Sequence, residues 1–288
     1  MSTVDLSDGE LQLVRGPSAL GTDRRRFMSL FRTLTLTDFK LKFYGSVLGY
    51  VWQLVRPLML FGVLYYVFTH FLKFGGGVKH YPSVLLLGIV IYSFFAEAVS
   101  TSVDSVVRNE PLVRKVQFPR LVIPAASVAT AFLNLLLNLV AVLVFIILLQ
   151  HVQPHWQWLE FPLVLLAAVV LTSGLAMIVS SLYVRYRDLR PITDVVLQVL
   201  FYATPIFYPV EKVADSDPTL LHLLVMFNPL APIVQQARHS LIDPTAMTAA
   251  AAAGGTLNLM VPIALTLGIF ALGYWTFSRQ APRIAEEL

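Results

Sequence analysis

The chain has 288 residues, of which 57% are hydrophobic and 13% charged, with a formal net charge of +4. Soluble domains carry about 25% charged residues, so a water-soluble fold with a charged shell is excluded and one all-α membrane domain is expected. The sequence holds no cysteine, which excludes disulfides, thiol catalysis and cysteine-ligated metals.

The first 26 residues contain no apolar core of signal-peptide length. The chain is therefore expected to insert through its own spans. Residues 1–37 read as a cytoplasmic tail. After it, Phe43, Val47, Tyr50, Val51 and Leu54 recur at helical spacing, with Asp38 placed to cap the start and Trp52 close by. This pattern predicts an amphipathic helix in the cytoplasmic interface; the alternative is a plain extension of the first span.

Six stretches have the length and apolarity of membrane spans. They run from about Leu54 to Leu72, Val84 to Val103, Leu121 to Leu149, Phe161 to Tyr183, Ile192 to Phe207, and Leu257 to Phe277. The fifth is short and contains Pro205. With the N-terminus inside, every lysine and arginine except Lys73, Lys79, Lys212 and Arg238 falls on the cytoplasmic side, as the positive-inside rule requires. Both termini are then cytoplasmic, residues 38–279 form the membrane domain, and 280–288 form a short tail. The basic balance serves topology here rather than nucleic-acid binding.

The loop after span two runs from Arg108 to Arg120. It mixes Arg108, Asn109, Glu110, Arg114 and Lys115 with the apolar Leu112, Val113, Val116 and Phe118. Topology needs only charge, so the apolar residues imply a short helix that docks, either into a partner's groove or onto the membrane surface.

Between spans five and six, Tyr208 to Gly255 is too long and too apolar for a plain loop. Pro209, Pro218, Pro229, Pro232 and Pro244 punctuate it, and Asn228-Pro229 splits its apolar middle. Irregular backbone at membrane depth survives only when buried or facing an aqueous cavity. Short re-entrant or interfacial helices on the outer side are expected. Tyr202, Phe207 and Tyr208, beside Pro205, are candidates to line a sugar pathway, with an interfacial aromatic belt as the ordinary alternative.

Ionisable residues inside spans are costly and often functional. Glu97 is the clearest case, expected to pair with a basic group near the cytoplasmic surface. Asn134 and Asn138, four apart, are expected to hydrogen-bond between helices. The six histidines show no metal-like spacing beyond His151 and His155, which Pro154 separates. No Gly-rich phosphate loop followed by Lys-Ser or Lys-Thr occurs.

The segment Asp38-Phe39-Lys40-Leu41-Lys42-Phe43-Tyr44-Gly45-Ser46-Val47-Leu48-Gly49, with Trp52 and Pro57-Leu58, resembles the start of ABC-2 type permeases that export polysaccharides such as O-antigen and teichoic acid. So do Asn109 to Pro124 with its Phe-Pro-Arg run, Tyr186-Arg187-Asp188-Leu189, Thr204-Pro205-Ile206-Phe207-Tyr208, and Asn228-Pro229-Leu230. The ordered set spans about Asp38 to Trp275.

The resemblance implies a homodimer with a channel between subunits and two copies of a separate ATPase, which bind ATP and Mg; this chain itself carries no cofactor and no catalytic residue. It implies that Arg108 to Phe118 couples to the ATPase and that the Phe43, Val47, Tyr50 and Trp52 region gates or supports the entrance. Tyr202, Pro205, Phe207, Tyr208 and Asn228 would close the outer end over a lipid-linked glycan in a bacterial inner membrane. The alternatives are an ABC-2 exporter of a drug or small lipid, an ion-coupled secondary transporter, and a membrane enzyme acting on lipid-linked sugars.

Overall fold

A computed structural model describes residues 24–44, 49–72, 78–115 and 118–282. Among these the regular structure is entirely helical. Five helices are long and apolar enough to cross a membrane: Val51–Phe71, Tyr81–Val103, Val122–Leu149, Trp156–Tyr183 and Thr256–Gln280. Each matches a span expected from the sequence to within a few residues.

The centre is α3 (Tyr81–Val103). It is hydrophobic on all sides, the mark of a helix surrounded by others. Leu85, Leu86, Leu87, Ile89, Ile91, Phe94 and Phe95 are at most 2% exposed. Around it stand α2 (Gly49–Tyr66, carried on by a π-helical turn, Val67–Phe71), α6 (Val122–Val144, with a second π-helical turn, Phe145–Leu149) and α7 (Phe161–Tyr183).

The last helix, α13 (Thr256–Gln280), packs along α7 in the same direction. Gly174 and Gly273 make this possible. A Cβ on Gly174 would lie 2.7 Å from the Phe270 Cα, and one on Gly273 would collide with the Gly174 carbonyl. Small residues at such a crossing let backbones approach, the main source of helix attraction in lipid. Where these helices finish, Val106, Val113, Phe118, Ile123, Met177, Val184, Phe277 and Ala281 form a second apolar cluster. Arg120 donates to the Ala281 carbonyl there. This end of the bundle carries the basic loops.

Because α7 and α13 are parallel, the chain between them must recross. It does so through α8 (Leu189–Ala203) and a bent, non-helical continuation to Tyr208. The register against α3 shows the crossing. Arg190 donates to Ser100 O at 3.2 Å, the Tyr92 hydroxyl donates to Leu197 O, and the Tyr81 hydroxyl donates to Phe207 O at 2.7 Å. Fifteen helical residues reach about 22 Å, short of a ~30 Å hydrocarbon core; the stretch from Thr204 to Tyr208 supplies the rest. Span five thus begins earlier than expected, at Leu189, and its helix stops before Pro205.

At the far end, α9 (Val210–Ser216), α10 (Pro218–Phe227), α11 (Leu230–Leu241) and α12 (Ala249–Ala252) form a cap. α10 and α11 meet at 103° across Asn228-Pro229. The pair enters and leaves on the same side, as expected for re-entrant helices.

The N-terminal region differs from expectation. An amphipathic helix, α1, is present, but it occupies Arg24–Phe43 and includes residues 24–37 of the expected tail. Its inward positions are Phe27, Leu30, Phe31, Leu34, Thr35, Asp38 and Phe39, the spacing of one helical face. Asp38 therefore lies inside a helix and caps nothing. Val51, Trp52 and Leu54 belong instead to α2 and extend span one. The expected continuous helix from Asp38 to Leu54 is not formed, because α1 ends in a turn at Tyr44. The face of α1 rests on α6, where Thr130 Oγ1 donates to Thr35 O at 3.4 Å.

Gly174→Val and Gly273→Val are each expected to wedge α7 from α13 and cost about 1–3 kcal/mol, the range for overpacking a tight contact. Gly268, where a Cβ would meet no atom within 4 Å, should accept alanine without loss. Thermal melting in detergent distinguishes the two behaviours.

Candidate functional site

Three groupings collect the residues with functional character. The first lies at the basic end. α4 (Ser105–Arg108) and α5 (Glu110–Lys115) are joined at Asn109, whose Nδ2 donates to Ser105 O at 2.8 Å. That bond closes α4 and lets the chain restart as α5. Arg108 and Pro111 are exposed and Leu112 is half-buried. Val113 and Phe118 are buried, at 4% and 3% exposure, inside the chain's own apolar cluster. The loop's apolar side therefore docks first on its own bundle; of its apolar residues, Leu112 is partly accessible. The side chains of Arg114 and Lys115 lie outside the description, as do residues 116 and 117.

The second grouping is the break after α8. Pro205 and Ile206 are buried, Phe207 and Tyr208 half-buried, and Tyr202 is 60% exposed. Phe207 is the hub. Its ring lies 4.9 Å from Phe68, 5.2 Å from Tyr208, 5.9 Å from Phe201 and 6.0 Å from Tyr202, centre to centre, within the range of favourable ring contacts. Asn228, at the tip of the re-entrant pair, donates from Nδ2 to Thr204 Oγ1 at 3.0 Å, and its Oδ1 accepts from Leu230 N at 3.1 Å. Tyr202, Pro205, Phe207, Tyr208 and Asn228 are thus brought to one place.

Above this break sits an ion pair that the sequence did not disclose. Arg238 on α11 is 5% exposed and its Nη1 lies 2.8 Å from Glu211 Oε2 on α9. Arg238 had counted only as an exposed outer charge. Its place on an otherwise apolar face, with buried Val234, Ala237 and Leu241 around it, was the available signal. Nearby, burial raises the Asp243 pKa, but two hydrogen bonds from Thr245 and the charges of Lys79 and Arg238 outweigh it and hold the carboxyl below its usual value.

The third grouping surrounds Glu97. Lys42 Nζ on α1 lies 2.5 Å from its Oε1, Asn134 Nδ2 on α6 donates to the same oxygen at 2.6 Å, and Gln53 Nε2 on α2 approaches Oε2 at 3.4 Å. The expected basic partner is therefore Lys42, and Asn134 forms the expected interhelical bond. Asn138 instead donates to Asn134 O within α6. Of the other N-terminal candidates, Trp52 is 57% exposed; Val47 and the side chains of Phe43 and Tyr50 lie outside the described residues. Among the described residues, no group of three or more His, Asp or Glu side chains is placed to hold a metal ion.

Residues 29–242 match the family described as ABC-2 type transporter. The chain is also similar to curated proteins named O-antigen export system permease protein RfbA. Two are from Klebsiella pneumoniae. One is 28% identical over 217 residues, covering 75% of this chain and 81% of the relative. The other is 28% identical over 206 residues, covering 71% and 77%. A third, from Myxococcus xanthus, is 26% identical over 209 residues, covering 73% and 78%.

Asn228→Ala should remove both the Thr204 bond and the Leu230 N partner, costing about 1–3 kcal/mol for buried groups left unpaired. Asn228→Asp keeps an acceptor for Leu230 N but loses the donor to Thr204, and should fall between alanine and the parent. Melting temperatures of the purified variants test that order.

Proposed function

We propose that this chain, which belongs to the ABC-2 type transporter family, is the membrane-spanning permease of an ATP-driven exporter of a lipid-linked polysaccharide. The polysaccharide class is suggested by the three relatives named as O-antigen export permeases. The basic end of the bundle faces the cytoplasm of a bacterial inner membrane, in keeping with the positive-inside rule. The capped end, with the re-entrant pair, faces outward.

The observation that carries the reading is the outward face of α8. Asp194 and Gln198 are exposed on it beside Ile192, Val195, Val199 and Tyr202. Asp194 lies 3.7 Å from Arg190 at the basic end of α8 and Gln198 one turn further along; a face that mixes such polar groups with apolar ones suits a water-filled path for sugars. A second copy of the chain opposite this face would complete such a path. The aromatic cluster around Phe207 would then stand near its outer mouth, with Tyr202 facing the passing sugar rings.

ATP hydrolysis is assigned to a separate ATPase chain, two copies per dimer, which would hold ATP and Mg. The contact is assigned to α4 and α5, the segment that carries Glu110, Leu112, Arg114 and Lys115. Val113 and Phe118 hold the segment onto the bundle from behind, so that force applied to α5 reaches α6, α7 and α13 through one packed cluster.

Leu112→Asp, or charge reversal at Arg114 and Lys115, should leave a folded chain that retains ATPase binding in part but exports about tenfold less glycan, the loss expected from one ~1.4 kcal/mol contact. Val113→Asp should instead lower the yield of folded protein. Surface glycan and ATP hydrolysis measured on the same cells decide the matter; unchanged export in the Leu112→Asp chain would remove the coupling assignment.

A further inference from the structure

Glu97 holds together four helices. Its carboxylate is reached by Lys42 from α1, Gln53 from α2 and Asn134 from α6, while Glu97 itself is on α3. The bonds differ in kind. Asn134 is 1% exposed and fixes the carboxylate from within. The Lys42 side chain is 36% exposed against 22% for Glu97, so the ion pair lies toward the open edge of the bundle while the Asn134 bond lies inside it. Gln53, at 3.4 Å, is at the limit of a hydrogen bond. One side of the carboxylate is anchored and the other side is releasable.

The releasable side leads to α2, the least enclosed of the five long helices. Only 6% of the apolar stretch of α2 is buried. α1 in turn meets the segment assigned to the ATPase: its Leu30 packs against the cluster that holds Val106 of α4 and Val113 of α5, and Asp38, one turn before Lys42 on the same face, feels the charge of Arg108 at the end of α4. Burial raises the Asp38 pKa and Arg108 opposes that rise. So α1 carries an acid toward the α4 arginine and a base toward the α3 glutamate, with the α4–α5 segment at one end and the α2 span at the other.

We propose that Lys42–Glu97 is a latch that holds α1 and α2 against α3 in the state seen here and opens during the transport cycle, linking the α4–α5 segment to the movement of α2. Asn134 is its fixed anchor, and Lys42 and Gln53 are its moving contacts. Glu97 acts as a positioning residue and need not touch the exported molecule. This inference rests on the exporter reading above.

The chain tolerates a test by charge exchange. Asn134 Oδ1 is buried without a partner, so a turn of that amide would offer an acceptor to a lysine at position 97. Because the sequence has no cysteine, Lys42→Cys with Glu97→Cys also introduces a unique thiol pair that a short, reducible bifunctional thiosulfonate can tie. Both sets are assayed with the full permease–ATPase complex in membranes, reading ATP hydrolysis and glycan export separately.

Lys42→Glu is expected to lower export about tenfold while hydrolysis continues, and Lys42→Glu with Glu97→Lys to recover most of it, the signature of a direct pairwise coupling. The tied cysteine pair is expected to stop export, and reduction to return it to the rate of the untied pair. Export by the tied chain at the untied rate would overturn the latch, because the contact would then not need to open. A folded, ATPase-bound exchange variant no better than Lys42→Glu would overturn it as well. Failure of the unaltered chain to bind an ATPase or to export would instead count against the exporter reading.

Discussion

Hydrocarbon offers a peptide group no hydrogen-bond partner, so each N–H and C=O released where a membrane helix stops must find one inside the protein. The end of α8 is where this constraint acts hardest. Thr204 N still reaches back to Leu200 O at 2.9 Å, and Pro205 has no N–H to satisfy. Ala203 O accepts from the Tyr208 hydroxyl at 3.2 Å and from Asn228 Nδ2 at 3.4 Å. Phe207 O accepts from the Tyr81 hydroxyl. The break exists because a tyrosine at the head of α3 and an asparagine at the tip of the re-entrant pair are there to receive it. Remove the break and span five becomes an ordinary helix, and the re-entrant tip loses its seat.

The same rule governs side chains at other depths. Glu97 can sit in a span because Asn134, Lys42 and Gln53 surround it. Arg238 can be buried because Glu211 meets it. These polar contacts are each local, while the apolar packing that orders the bundle is spread along whole helices and is closest where Gly174 and Gly273 meet. Packing sets which helices are neighbours; the few polar contacts tie particular points of those helices together.

Much of this was legible in the sequence, for reasons that also explain the gaps. Long apolar runs and the placement of arginines gave the spans, because hydrocarbon thickness and loop charge act on single segments. Prolines at 205, 209, 218, 229 and 232 marked the re-entrant region, since proline removes a donor wherever it falls. α1 was missed over Arg24 to Thr37: Phe27, Leu30, Phe31 and Leu34 are correctly spaced, but the arginines and hydroxyls between them make the stretch polar on average. The apolar loop residues were seen, yet a pattern tells which side of a short helix is buried and not what buries it; Val113 and Phe118 turned to their own bundle. The Arg238–Glu211 pair crosses two helix breaks, and no periodicity connects its ends.

The two outward faces of the bundle are chemically unlike. From Leu257 to Trp275, the large exposed side chains of α13 are Leu257, Met260, Ile263, Leu267, Phe270, Leu272, Tyr274 and Trp275, an apolar sheath with aromatic rings toward the basic end, where Arg279 lies 4.2 Å above the Trp275 ring. Such a face is at rest in lipid. α8 shows Asp194 and Gln198 among its valines, and its basic end is held by Arg190 between Asp104 and Asp194. Hydrocarbon would penalise that face, and water alone would penalise its valines and Tyr202. An environment that is partly wet and partly apolar satisfies both. α2 is the least enclosed of the long spans, and the Glu97 carboxylate that its Gln53 approaches is held from the other side by Asn134.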